Sequence, residues 1–136
     1  MRIAVVDGQG GGIGRQVIEG LRKELDYDVE IIALGTNSTA TSFMIKAGAN
    51  EGATGENAIA YTASRVDYII GPVAIIAAGS MLGEVTPSMS RAIAESPARK
   101  LLIPLNRCDI EIVGLDKELS IPDIIAKAVG IMKLML

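Results

Sequence analysis

Five glycines fall within seven residues in the run DGQGGGIGR, at Gly8, Gly10, Gly11, Gly12 and Gly14. Each glycine costs conformational entropy on folding, and a tight turn between a strand and a helix needs only one or two. A phosphate that must come close to the backbone is a reason for more. The chemistry this stretch suggests is therefore the binding of a phosphate.

Two spacings test that reading. Gly8 and Gly10 begin the dinucleotide fingerprint G-x-G-x-x-G, but Ile13 stands at its third position. Gly8, Gly12 and Gly14 do satisfy G-x-x-x-G-x-G, the spacing found in short-chain dehydrogenases. In both patterns glycine permits the sharp turn, lets backbone approach a pyrophosphate, and allows close packing of helix on strand. The following helix points free N–H groups and a partial positive charge at the anion. Arg15, in its first turn, can add a charge-assisted contact. The run lacks G-K-[ST], so P-loop chemistry is disfavoured.

The acid that would bind a ribose after the second strand is missing; Leu34, Gly35, Thr36 and Asn37 occupy that stretch. No basic residue stands there for a 2′-phosphate either. Thr36 or Asn37 can hydrogen-bond a ribose or phosphate, or Gly35–Asn37 is only a turn with a helix cap. In doubly wound sheets ligands bind beyond the carboxyl ends of the strands. Those ends collect Asp7, Gly35–Asn37, Gly71–Pro72, and Asn106, Arg107 and Cys108. Asp7 repels a phosphate, so it binds a cation or ribose, or else accepts hydrogen bonds from the glycine loop. Arg107 can activate the Cys108 thiol, although a lone cysteine is more often a small core hydrophobe. Tyr61 and Arg65 have the spacing of a dehydrogenase Tyr-x-x-x-Lys pair, but arginine does not replace lysine in proton relay. The tyrosine is expected to pack on the sheet, and Glu56 and Glu84 to be solvated.

These groups need a scaffold that gathers strand ends. The pattern predicts strands over Arg2–Asp7, Val29–Leu34, VDYIIG, KLLIPL and the shorter IEIVG. A helix from about Ile13 places Ile13, Val17, Ile18, Leu21 and Leu25 on one face. Ser38 or Thr39 caps a short helix that Gly48 stops, GANEGATGEN reads as a loop, and a helix covers Asn57–Ser64. PVAIIA fits helix or strand. Thr86 before Pro87 starts a helix to about Glu95, and Ser120 with Asp123 resembles a capping box for the last helix. This alternation predicts an α/β chain of one domain over 1–136. The expected fold is a Rossmann-like three-layer sandwich with a mostly parallel sheet.

Composition narrows the partners. The 136 residues carry a formal net charge of −3, so a nucleic-acid partner is disfavoured. There is no histidine, the commonest general base and metal ligand, and the one cysteine forms no internal disulfide. No metal is expected. The apolar stretch Ile69–Leu82 is too short and too broken to span a bilayer. With no leader before the first strand, a cytoplasmic protein is expected.

DGQGGGIG, ALGTN, AGANEGATGENAI, GSMLGEVTP and IPLNRC together resemble a family of small, Rossmann-like bacterial proteins with a domain of unknown function, common in anaerobic Gram-positive bacteria. That resemblance implies a cytoplasmic Rossmann-like protein and no particular reaction. More loosely, GSMLGEVTPSMSRAIAESPARKLLIPLN is similar to Rossmann-type nucleotide-sugar-binding regulators, which implies a cleft lined by Gly79, Ser80 and Asn106. The leading expectation is a nucleotide- or dinucleotide-binding sensor or regulator, taking NAD(P) or another nucleotide. The alternative is a small enzyme acting on a nucleotide or nucleotide-linked substrate, with Asp7 or Cys108 reactive and its site completed by oligomerisation. The apolar final helix predicts a homodimer or higher homo-oligomer.

Overall fold

The runs IAVV, IIAL and YII present no polar face, which suits strands covered by helices on both sides. The structure is a computed structural model that describes residues 1–105 and 109–136. Its strands are β1 (Arg2–Asp7), β2 (Glu30–Gly35), β3 (Glu51–Thr54), β4 (Tyr68–Pro72) and β5 (Arg99–Ile103). All pair in parallel, in the order β3-β2-β1-β4-β5. The helices are α1 (Gly12–Glu24), α2 (Ser38–Lys46), α3 (Glu56–Ala63), α4 (Pro87–Glu95) and α5 (Ile121–Met135). The expected α/β sandwich with a parallel sheet is what forms.

Strand alternation sorts side chains into two cores. Ile3 and Val5 of β1 join Val17, Ile18 and Leu21 of α1, Met44 of α2 and Met132 of α5. Ala4 and Val6 face the other way, towards Ile59 of α3 and Met89 and Ile93 of α4. The chain thus winds outward from β1 through β2 to β3, then returns under the sheet to β4 and β5. Between β1 and β4 the winding reverses, and the loops after these two strands diverge.

Several sequence expectations need correction. GANEGATGEN is not all loop, because Glu51–Thr54 within it pairs with Ile32–Gly35 as edge strand β3. Only Ala53 of its four residues is partly covered, so no hydrophobic alternation marked it. IEIVG is not a strand; Val113 is 96% exposed and the segment pairs with no neighbour. Alternation of apolar residues makes a strand only where a partner edge lies in register. The cap of α2 is Asn37, whose backbone is extended and whose Oδ1 accepts from Ala40 N at 2.9 Å, rather than Ser38 or Thr39. PVAIIA resolves into one 3-10 turn over Val73–Ile76.

Helix α5 starts with the expected capping box between Ser120 and Asp123. Its buried stripe is Ile125, Ala128, Val129 and Met132, with Ile121 and Ile124 half-buried. Ile131 and Leu134 remain exposed on the opposite arc.

Candidate functional site

At the carboxyl edge of the sheet, between β1 and β4, lies a cleft of about 780 Å³. Its floor is the turn from β1 into α1, and its opposite wall is the segment Ala77–Leu82 beyond β4. Leu105 and Ile121 close one side with aliphatic surface. Volume and location both match what small-molecule sites in doubly wound sheets require.

The glycine turn is built around Asp7. This carboxylate is 3% exposed and accepts from Gly8 N and Gly14 N, both at 2.8 Å. Burial pushes its carboxyl above the ordinary 3.8, against the opposing pull of the Gly14, Gly8 and Ile13 N–H groups. Of the readings open for Asp7, the structure shows the loop acceptor: an internal anion sits at the N-terminus of α1. Gly11 takes φ 72° as the cap residue of that helix, and its N–H closes the turn on the Gly8 carbonyl at 2.9 Å.

The five glycines then separate into two kinds. A side chain at Gly8 would strike Met81, one at Gly14 would strike Met44, and one at Gly11 would strike the Ala40 backbone. Internal packing accounts for those three. A Cβ at Gly10 or Gly12 would meet nothing within 4 Å, and both residues line the cleft. Their N–H groups also find no acceptor among the described residues. Packing does not explain these two glycines.

Across the cleft, the wall is held by Glu84. Its Oε1 accepts from Gln9 N at 2.9 Å, Thr36 Oγ1 at 2.7 Å and Asn37 Nδ2 at 2.7 Å. Burial raises the carboxyl, but these three donors outweigh it and hold the group below its ordinary value. Glu84 is therefore not the solvated surface residue expected; it ties together the loops after β1, β2 and β4. The segment it anchors is strained. Met81 and Leu82 adopt φ 58° and 55°, a left-handed conformation that costs a residue with a Cβ about 1–2 kcal/mol. Backbone bonds from Gly79 N to Val85 O at 2.8 Å and from Val85 N to Ser80 O at 3.1 Å close the segment on itself.

Of the residues singled out by sequence, Gly8, Gly10, Gly11, Gly12, Ile13 and Pro72 line the cleft, as do Gly79 and Ser80. Gly14, Gly35 and Gly71 lie behind it. A Cβ at Gly35 would meet Thr41, and one at Gly71 the Val6 carbonyl. Arg15 turns to Glu19 at 3.2 Å and not to the glycine loop. Thr36 and Asn37 spend their side-chain donors inside the protein, on Glu84 and, for Asn37, also on the Gln9 carbonyl at 3.0 Å. Asn106, Arg107 and Cys108 lie outside the described residues. Tyr61 does not pack on the sheet; it is exposed, with the Arg65 guanidinium stacked 3.8 Å from its ring centroid. Gln16 and Met81, which line the cleft, carried no sequence signal. Their roles follow from which loops meet in space.

Among the described residues, no group of three or more His, Cys, Asp or Glu side chains is placed to hold a metal ion. Among them, no helix is long and apolar enough to cross a membrane.

The model of the family described as a domain of unknown function (DUF3842) matches residues 2–136. The chain belongs to this family. No curated protein matches it. Among solved structures it is similar to a dodecameric FMN-dependent UbiX-like decarboxylase from Escherichia coli O157:H7. That likeness has 17% identity and a TM-score of 0.47, covering 97% of this chain and 76% of the other. It is also similar to a universal stress protein in complex with cAMP, at 17% identity and a TM-score of 0.43, covering 74% of this chain and 95% of that one. Likenesses this distant decide neither a ligand nor a reaction.

Proposed function

We propose that this chain is a nucleotide- or dinucleotide-binding module with a sensor or regulatory role. One observation carries the reading: Gly10 and Gly12 face the cleft with open space where a side chain would be and with uncommitted N–H groups. Backbone left bare on a cleft at the sheet's reversal point suits a phosphate or pyrophosphate. NAD(P) or another nucleotide fits the cleft volume.

The acids of the two facing loops, Asp7 and Glu84, already carry structural bonds, which favours binding over turnover. Both Asp7 oxygens accept backbone N–H bonds, and Glu84 accepts three donors. Ser80 Oγ donates to the Ala77 carbonyl at 2.6 Å, with no base beside it. Ser80 is the only hydroxyl side chain among the described residues lining the cleft, and it is paired with no carboxylate.

Thermal unfolding with AMP, ATP, NAD, NADP and FMN tests the reading. A ligand at 100 times its dissociation constant adds about 2.7 kcal/mol of stability. Gly12→Val should fold normally, since its Cβ meets no neighbour, yet lose that shift. Absence of any nucleotide shift in the parent overturns the proposal, as does full binding by the folded variant.

The module is also proposed to self-associate through α5, whose exposed Ile131 and Leu134 extend an apolar arc past the buried stripe. Leu134, 90% exposed, is the position to charge, because Met132 is fully buried in the core. Light scattering should show an oligomer for the parent and a folded monomer for Leu134→Glu. A monomeric parent at tens of micromolar removes this part of the reading.

A further inference from the structure

The acid missing after β2 in the chain is present there in space. Glu84 comes from the loop between β4 and α4, yet its Oε1 lies 2.7 Å from Thr36 Oγ1 and 2.7 Å from Asn37 Nδ2, the two residues that follow β2. A Cβ built on Gly8, the first glycine of the loop, would stand 3.1 Å from the same oxygen. In doubly wound dinucleotide folds, the carboxylate beside the end of the second strand and the first glycine accepts the ribose hydroxyls. We propose that Glu84 serves as that ribose acceptor, so that the site selects ribonucleotides with a free 2′-hydroxyl and rejects 2′-phosphorylated ones. The inference rests on the nucleotide-binding reading above and names its ligand class.

Three observations support it. All three protein donors, Gln9 N, Thr36 Oγ1 and Asn37 Nδ2, converge on Oε1, and Oε2 has no partner among the described residues. The carboxylate is thus fixed by one oxygen and offers the other to a donor. It is half-buried and stands one residue back from the cleft lining, beside Gly8, Gln9 and Met81, which do line it. A second carboxylate, Asp7, lies behind the same loop. Two acids make this corner hostile to an extra phosphate and suitable for hydroxyl donors. No lysine or arginine lines the cleft among the described residues to offset a 2′-phosphate.

The test uses pairs of probes that differ only at the 2′ position: NAD against NADP, and AMP against its 2′-deoxy form. Calorimetric titration of the parent should show NAD and AMP binding about tenfold more tightly than their partners, the scale of one hydrogen bond to a charged group. Glu84→Gln should weaken NAD and lower the NAD-to-NADP ratio towards one, because the Glu84 share of the repulsion of the 2′-phosphate is gone. If Glu84 only braces the loops, the variant weakens both probes equally and the ratio stays, which overturns the inference. The deoxy comparison on the parent needs no variant, so it decides even if Glu84→Gln folds poorly. Equal affinity for AMP and its deoxy form overturns the inference while leaving nucleotide binding in place. No binding of any of the four probes removes both.

Discussion

The two loops that face each other across the cleft are built on opposite plans. The turn after β1 is closed by bonds spanning at most seven residues, from Gly8 and Gly14 to Asp7, and only Gln9 reaches outward, to Glu84 and Asn37. The loop after β4 is anchored by Glu84 to residues 75, 48 and 47 positions away. One carboxylate is buried and raised, the other half-buried and lowered. The carboxylate bonds that close the first loop involve only β1 and α1. The second is stable only when the ends of β1, β2 and β4 are already side by side, and it carries strain at Met81 and Leu82 meanwhile. Local closure yields a rigid floor, and distant anchoring yields a wall that depends on the rest of the fold.

Removing Asp7 should break the floor with the largest effect. Asp7→Ala leaves the buried Gly8 and Gly14 N–H groups without acceptors, a loss of about 3 kcal/mol read as a lower urea midpoint. A loss below about 1 kcal/mol would show that the turn does not depend on this carboxylate.

Glu84→Ala should cost less, about 1 kcal/mol, because its group is partly screened by solvent. Its signature is local: hydrogen exchange at the Gln9 amide should accelerate while the Gly14 amide stays protected. Equal acceleration at both would erase the distinction between the loops.

Acid titration sharpens the same contrast through opposite signs. Asp7 is raised above 3.8, so above that pH the unfolded chain releases a proton that the folded state still holds. Its contribution therefore falls as pH rises through that window. Glu84 is lowered below 4.5, so its contribution is complete above 4.5 and falls as pH drops. Stability of the parent minus that of Asp7→Asn, followed by urea unfolding across the acid range, should decline with rising pH. The corresponding difference for Glu84→Gln should increase. Parallel slopes would contradict the two environments described.

Leu82→Gly should raise stability by about 0.5–1 kcal/mol, since the side chain is 99% exposed and its removal relieves the left-handed backbone. Destabilisation would mean that the wall carries no strain there. The smallest effect is expected at Gly12→Ala, within about 0.5 kcal/mol of the parent, because the added Cβ meets open space at the first turn of α1. A large loss would place that glycine among those explained by internal packing.

The sequence by itself determined the alternation of elements, the parallel sheet, the place of the glycine turn and the Thr86 and Ser120 caps. These depend on apolar periodicity and on side chains reaching backbone a few residues away, which a linear reading captures. It did not reveal β3, whose exposed Glu51, Gly52 and Thr54 carry no apolar pattern and whose pairing with β2 is decided by tertiary proximity. Nor did it separate Gly10 and Gly12 from Gly8, Gly11 and Gly14, because the atoms a Cβ would strike belong to Met81, Met44 and Ala40, distant in sequence. Glu84 shows the same limit. In sequence it is one acid in a glycine-rich loop; its donors come from the ends of β1 and β2, and only the folded sheet edge brings them within hydrogen-bond reach.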